Sequence, residues 1–144
     1  VMLGVELRLE PYDEDFLIYG IDEDFLFRHP DLCFMDQQAV YKLCHSYGAL
    51  FYQAHPFREP CIPRNPEFLD GVEFNQRPCS GNHNEKLSQW VKDYPKLRFI
   101  SGSDCHDLDQ VGFGGLEIER PINDIKELVV LLKTTNVKLI ELHP

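Results

Sequence analysis

Nowhere in the chain do about eighteen apolar residues run together, so no segment is built to cross a membrane as a helix. The opening residues also lack the basic, apolar and small-residue pattern of an export leader. Positive charge is short: 14 Lys and Arg face 24 Asp and Glu, a net charge of −10. That shortage argues against a surface that grips nucleic acid, because phosphate backbones attract clustered Lys and Arg. A small anionic substrate stays compatible, since a bound metal reverses the potential locally. The five cysteines, at 33, 44, 61, 79 and 105, are odd in number and never spaced as C-x-x-C, which removes a disulfide framework and a zinc ribbon. Reduced thiols in a cytoplasmic protein, mostly packed as small hydrophobes, are the expectation. A phosphate loop is missing too: Gly112-x-Gly114-Gly115 has no strand-to-helix setting and reads as a bulge or tight turn.

What is present fits one folded domain over residues 1–144, with 43% apolar and 26% charged residues and enough length for a real core. The chain starts at Val1, directly in strand-like sequence, and is read as a piece whose start lies upstream. Val1–Leu9 is the first expected strand, and Phe16–Ile21 a second, apolar on both faces as in a strand covered by helices. Asp22–Pro30 should hold one short helix. Asp36 is placed to cap a helix over Gln37–Tyr47, where Ala39, Val40, Leu43, Cys44 and Tyr47 recur at helical spacing and Gly48 ends it. Strands are expected at Ala49–Ala54, Leu69–Asn75 and Lys96–Ile100, with a proline-rich loop, Phe57–Pro66, between the first two. A helix beginning near Asn82 or Asn84 carries Leu87, Trp90 and Val91 and stops before Pro95. Gly112–Ile118 reads as a glycine-broken edge strand, Ile125–Thr135 as a helix capped by Asn123 or Asp124, and Val137–Leu142 as the last strand.

This order of elements predicts an α/β fold with a parallel sheet, in which function collects at the carboxyl ends of the strands. The stretch Phe99-Ile100-Ser101-Gly102-Ser103-Asp104-Cys105-His106 ends one such strand. A period of two puts Asp104 and His106 on one face, where carboxylate and imidazole can share a divalent cation. Ser101, Gly102 and Ser103 leave room for a ligand or ion to approach. The plain alternative is a loop in which Asp104 caps the next turn and His106 is solvated. Glu6 in the first strand and His55, just past Phe51–Ala54, aim at the same end; alone, each also reads as a solvated strand or turn residue. Glu73, between Val72 and Phe74, reads as a second carboxylate behind the site or as a partner for an arginine. His29, His45 and His83 read as solvent-facing, and His143 is set aside as nearly terminal.

Taken together, Gly4-Val5-Glu6, Ala54-His55-Pro56-Phe57-Arg58, Gly71-Val72-Glu73-Phe74-Asn75 and Ser101-Gly102-Ser103-Asp104-Cys105-His106 resemble the PHP (polymerase and histidinol phosphatase) family of metal-dependent phosphoesterases. The resemblance runs over nearly the whole chain, and its specific parts are the His-Pro-x-Arg and Ser-Asp-x-His motifs. It implies a distorted (β/α)₇ barrel with two or three metals at the strand ends. It also implies Glu6, His55, Asp104 and His106 as metal ligands, Asp104 and His106 at the chemistry, and Arg58 on the substrate phosphate. The family's His-x-His and the following Asp-His are missing; both would lie before Val1, so the chain is read as the last two-thirds of an incomplete barrel.

The chemistry explains that choice of residues. Phosphate-ester hydrolysis needs hydroxide near neutral pH, and a divalent ion lowers the pKa of bound water from about 15.7 towards 7. Mixed nitrogen and oxygen donors suit zinc, manganese or iron better than calcium. The expected substrate is a small phosphorylated molecule, with no membrane and no long nucleic acid as partner. Two other classes remain open: a metal-independent binding or regulatory module, and an amidohydrolase-like metal hydrolase acting on amide bonds.

Overall fold

The runs Phe16-Leu17-Ile18 and Leu50-Phe51-Tyr52 are apolar on successive residues, and both form inner strands with little or no solvent on either face. The computed structural model describes residues 2–141. Its frame is a five-stranded sheet in the order β1 (Gly4–Arg8), β2 (Asp15–Tyr19), β3 (Leu50–Gln53), β4 (Gly71–Asn75) and β5 (Arg98–Gly102). A separate two-stranded ribbon, β6 (Gly114–Glu117) with β7 (Lys138–Glu141), lies beside β5, where Ser101 Oγ donates to the Ile140 carbonyl at 2.6 Å. Gly114 permits that approach, because a Cβ there would come 2.6 Å from the Gly102 backbone.

Among the described residues four α-helices connect and cover these strands: α1 (Glu23–Arg28), α2 (Gln37–Ser46), α3 (Asn84–Trp90) and α4 (Ile125–Thr134). Three start on aspartates that accept a backbone N–H of the first turn: Asp22 from Phe25, Asp36 from Ala39 and Asp124 from Glu127. Gly48, at φ +74°, ends α2 in the left-handed region where glycine carries no Cβ penalty. Strand alternation sorts the core. Phe16, Ile18, Phe51 and Val72 face Phe25, Val40, Cys44 and Leu87 on one side, with the Phe16 and Phe51 rings stacked at 4.8 Å. Leu50, Tyr52 and Ile100 face Val129 and Leu132 of α4 on the other.

The expected barrel and all-parallel sheet are both corrected here. β1–β2 and β2–β3 pair antiparallel, while β3–β4 and β4–β5 pair parallel, so the sheet is mixed. The reason lies in β2, which runs against both neighbours; six residues of turn are enough to return it beside β1, with no crossover helix. Among the described residues the sheet stays open, with β1 and β5 as its outer strands, and no (β/α)₇ barrel closes. The Gly112–Ile118 and Val137–Leu142 segments do form strands, but in the ribbon; Leu142 and the dismissed His143 lie outside the described residues.

The Phe57–Pro66 loop is irregular yet tightly held. Gln53, fully buried at the end of β3, donates to the Ile62 carbonyl at 2.7 Å and accepts from Arg64 N at 2.8 Å. Buried Glu14 accepts from Ile62 N at 3.0 Å and from Arg64 Nε at 2.6 Å. Two buried polar side chains therefore anchor the loop that carries Arg58.

The cap on α2 gives a direct test of this construction. Asp36→Ala should lower stability by about 1 kcal/mol, read as a lower urea midpoint at unchanged slope. Asp36→Ser should recover most of the loss.

Candidate metal and anion site

Because β1, β3, β4 and β5 all run the same way, their carboxyl ends share one edge of the sheet, and the reversed β2 brings its amino end there. Glu6 of β1 pairs with Leu17, Asp15 opens β2, and Glu73 of β4 pairs with Ile100; alternation sets all three on the Leu17, Tyr52 and Ile100 face. His55 follows β3 by two residues, and Asp104 follows β5 by two. Both have positive φ, +31° for His55 and +45° for Asp104. For non-glycine residues that conformation costs of order 1–3 kcal/mol and persists where the surroundings hold it, as in ligand clamps.

His55 is the centre. Its ring is almost wholly buried, with Nε2 3.4 Å from Glu6 Oε1, 3.6 Å from Asp15 Oδ2 and 2.7 Å from Arg58 Nη2. A guanidinium can only donate, so Nε2 accepts and the ring proton is assigned to Nδ1, 3.8 Å from Cys61 Sγ. Burial pushes the Cys61 thiol up, so this neighbour is held as a neutral thiol. Donor atoms of Glu6, Asp15 and His55 all lie within 4.8 Å of one another. One nitrogen and two carboxylates at that spacing fit a divalent ion of the zinc, manganese or iron kind.

Arginines interleave with these groups. Arg8 holds Asp15 bidentately at 2.8 and 2.7 Å. Arg58 reaches His55 with one amino group and makes an ion pair with Asp104 Oδ2 with the other. Arg77 Nη1 lies 3.6 Å from Asp104 Oδ2 and 3.4 Å from His106 Nε2. His106 is anchored through Nδ1 to the carbonyl two residues back, Asp104 O, at 2.8 Å, and its side chain remains 56% exposed. The order Arg8, Asp15, His55, Arg58, Asp104, Arg77, His106 is thus a continuous string of polar contacts across the strand ends.

Beneath it sits Glu73. Its Oε2 accepts the His55 amide at 3.2 Å and Asn75 Nδ2 at 3.1 Å. Burial drives its carboxyl up and the Asp104 charge acts the same way, while the hydrogen bonds from Asn75 and the His55 amide pull against that rise without cancelling it. The room beside Ser101-Gly102-Ser103, expected for a ligand, is filled at Gly102 by this carboxylate; a methyl group at Gly102 would overlap Glu73 Oε1. Beyond Arg77 a cleft of about 600 Å³ opens, lined by Asn75, Gln76, Arg77, Asn82, Asn84 and Lys92 among others.

The structure therefore sets Glu6 and His55 side by side, joins Asp104 to His55 through Arg58, and leaves His106 at the rim beside Arg77. Asp15, which falls between the strands expected over Val1–Leu9 and Phe16–Ile21, joins the site without having been a sequence candidate, as do Arg8 and Arg77. The acidic run Asp13-Glu14-Asp15 was the available signal, but only the reversed direction of β2 turns it into a site. His29, His45 and His83 lie elsewhere, against Tyr47, Asp70 and Glu85.

A sequence-family model described as PHP-associated matches residues 81–137, in agreement with a C-terminal region of the PHP family. No curated protein matches the chain. The crystal structure of PsfC from Pseudomonas syringae PB-5123 is similar, with a TM-score of 0.65 at 15% identity over 97% of this chain and 59% of that one. So is the lesion-specific endonuclease PfuEndoQ from Pyrococcus furiosus, with a TM-score of 0.65 at 12% identity over 95% of this chain and 40% of that one. The chain spans 59% and 40% of the lengths of these two proteins, and at such identities the likeness is one of fold.

Two outcomes follow from Glu73. Gly102→Ala should destabilise by about 1–3 kcal/mol through overpacking, and Glu73→Ala in the same chain should restore part of it, a non-additivity read by a double-mutant cycle in urea. The second concerns pH. A carboxyl raised on folding favours the folded state at low pH, and that contribution is lost as pH rises through the folded value. In chelator-treated protein, Glu73→Gln should therefore gain on wild type as pH rises; a gap that stays constant across a pH series of urea midpoints would contradict the raised carboxyl.

Proposed function

We propose that this chain carries out metal-dependent hydrolysis of a small phosphate ester. The convergence of Glu6, Asp15 and His55 donor atoms within 4.8 Å is the observation that supports it most. These three residues would hold the ion, with Asp104 and His106 the adjoining donors across Arg58. When bound, a divalent ion supplies a Lewis acid and water with a pKa lowered towards about 7. Arg58 and Arg77 flank Asp104 and would take the non-bridging phosphate oxygens, for which the planar guanidinium fork is suited. Asp104 keeps both arginines oriented. His106, with its Nδ1 proton committed to Asp104 O, accepts from Arg77 Nη1 at 3.4 Å through Nε2, and that lone pair would take up a proton once Arg77 turns to the phosphate. The amide-lined cleft beyond Arg77 would receive the alcohol part of the ester.

Chain charge limits the substrate. At −10 overall, the surface repels a long phosphate backbone, so a small phosphorylated molecule is favoured over extended nucleic acid. None of the described helices is long and apolar enough to cross a membrane. Free thiols at all five cysteines accord with the cytoplasm as the compartment.

One observation favours a second reading. Arg8 and Arg58 already neutralise Asp15 and Asp104 without any ion, as a metal-free anion-binding module would require.

Elemental analysis of the purified protein, followed by assay on p-nitrophenyl phosphate with and without chelator, separates these readings. A bound divalent metal and a chelator-sensitive rate are expected; no metal and no rate would leave the binding module. Cleavage of amides with indifference to phosphate esters would point to an amide hydrolase. Among variants, His55→Ala should abolish metal binding, and Asp15→Asn should weaken it by about 10–100-fold, the range for groups that hold or orient a metal. His106→Ala should lower metal content less than His55→Ala, because its ring lies outside the three-donor group; the reverse order would displace the site from His55.

A further inference from the structure

We infer that Arg58 is a movable internal cation that occupies the donor atoms of His55 and Asp104 until an anion draws it away, so that anion and divalent metal bind with positive coupling. The inference rests on the metal-dependent reading above and adds a regulatory contact to it.

The argument begins with lone pairs. Arg58 Nη2 donates to His55 Nε2 at 2.7 Å, and a neutral imidazole has a single ring lone pair outside the π system. That lone pair is the one a metal would need. Arg58 Nη1 is likewise ion-paired with Asp104 Oδ2. One guanidinium thus engages two of the groups with which a metal would bond, and at His55 Nε2 the two cations exclude each other. The arrangement is local in sequence: Arg58 N donates to the His55 carbonyl at 3.0 Å, so its backbone is fixed in the turn that follows His55. The side chain above that turn is still free to rotate about its own torsions, and it is already 19% exposed.

An anion supplies the reason to move. Arg77 Nη1 stands 3.6 Å from the same Asp104 oxygen, so a phosphate at Arg77 offers the Arg58 fork two oxygens in place of His55 Nε2 and Asp104 Oδ2. Rotation to that anion frees the donors. Linkage then requires reciprocity: an anion that tightens metal binding is tightened by the metal to the same extent.

Simple repulsion between Arg58 and the ion would also weaken metal binding, and the charge-conserving variant distinguishes it. Arg58→Lys keeps the positive charge but loses the fork that spans His55 and Asp104.

The test is titration of Mn²⁺ into chelator-stripped protein, followed by electron paramagnetic resonance, with and without inorganic phosphate. Wild type should bind Mn²⁺ about tenfold more tightly with phosphate present, within the usual range of coupling between sites. Arg58→Lys and Arg58→Gln should both bind Mn²⁺ about tenfold more tightly than wild type without phosphate, and both should lose the phosphate effect. Thermal unfolding confirms that each variant is folded; if Arg58→Gln is not, Arg58→Lys decides, and if Arg58→Lys is not, an Arg58→Gln without the gain overturns the inference. A gain in Arg58→Gln with Arg58→Lys unchanged would show charge repulsion alone and overturn the inference. Equal Mn²⁺ binding in all three proteins, indifferent to phosphate, would overturn it while leaving the metal site standing. No Mn²⁺ binding in any of them would remove the metal-dependent reading and this inference together.

Discussion

The direction of one strand decides where the polar groups meet. β2 runs against β1 and β3, and so its first residue, Asp15, arrives at the edge where four other strands end. Had β2 run parallel to its neighbours, Asp15 would stand at the opposite edge, and Glu6 and His55 would face each other without a third donor. The six-residue link from β1 sets this direction, and the stacking of Phe16 on Phe51 in the core beneath α2 fastens β2 to β3. A hydrophobic contact low in the sheet is thereby linked to the electrostatics above it.

Those electrostatics alternate in sign. Asp15 and Asp104 are buried or nearly so, and a buried charge without a partner costs several kcal/mol. Arg8, Arg58 and Arg77 provide the partners, each with part of its guanidinium in water. Glu73 lies below this arrangement, and burial shifts its carboxyl towards the protonated form by more than its hydrogen bonds from Asn75 and the His55 amide offset. Polar groups at this edge are stabilised by one another more than by solvent. The same mutual dependence makes the positions of their side chains sensitive to any ion that arrives.

Much of the element order was legible in the chain, for physical reasons that act locally. Asp36 and Asp124 mark helix starts because their carboxylates reach back to the first-turn amides, and Gly48 marks an end because it tolerates positive φ. The strand before His55 and the one before Asp104 were visible as apolar runs that stop abruptly at polar residues. Strand direction was not visible, because Phe16-Leu17-Ile18 has the same composition whichever way it runs. That is also why the sheet was expected to be parallel and closed. The exchange of partners among Arg58, His55 and Asp104 was hidden for a related reason: residues 46 positions apart meet only once β3 and β5 are both in place. Motif spacing singled out candidate side chains, and the fold decided what each one touches.

β1 has a further property that follows from its place at the margin of the sheet. Among the described residues, one side of its backbone pairs with β2, and the other presents main-chain donors and acceptors in a row. Such a row is a template for intermolecular strand addition, the first step towards amorphous or fibrillar deposits. Glu6 and Arg8, both exposed on this strand, place opposite charges along it and make indiscriminate stacking less favourable. Solubility at high concentration therefore draws on the same two side chains that flank His55 and Asp15, and replacing them with apolar residues would make the protein harder to keep in solution.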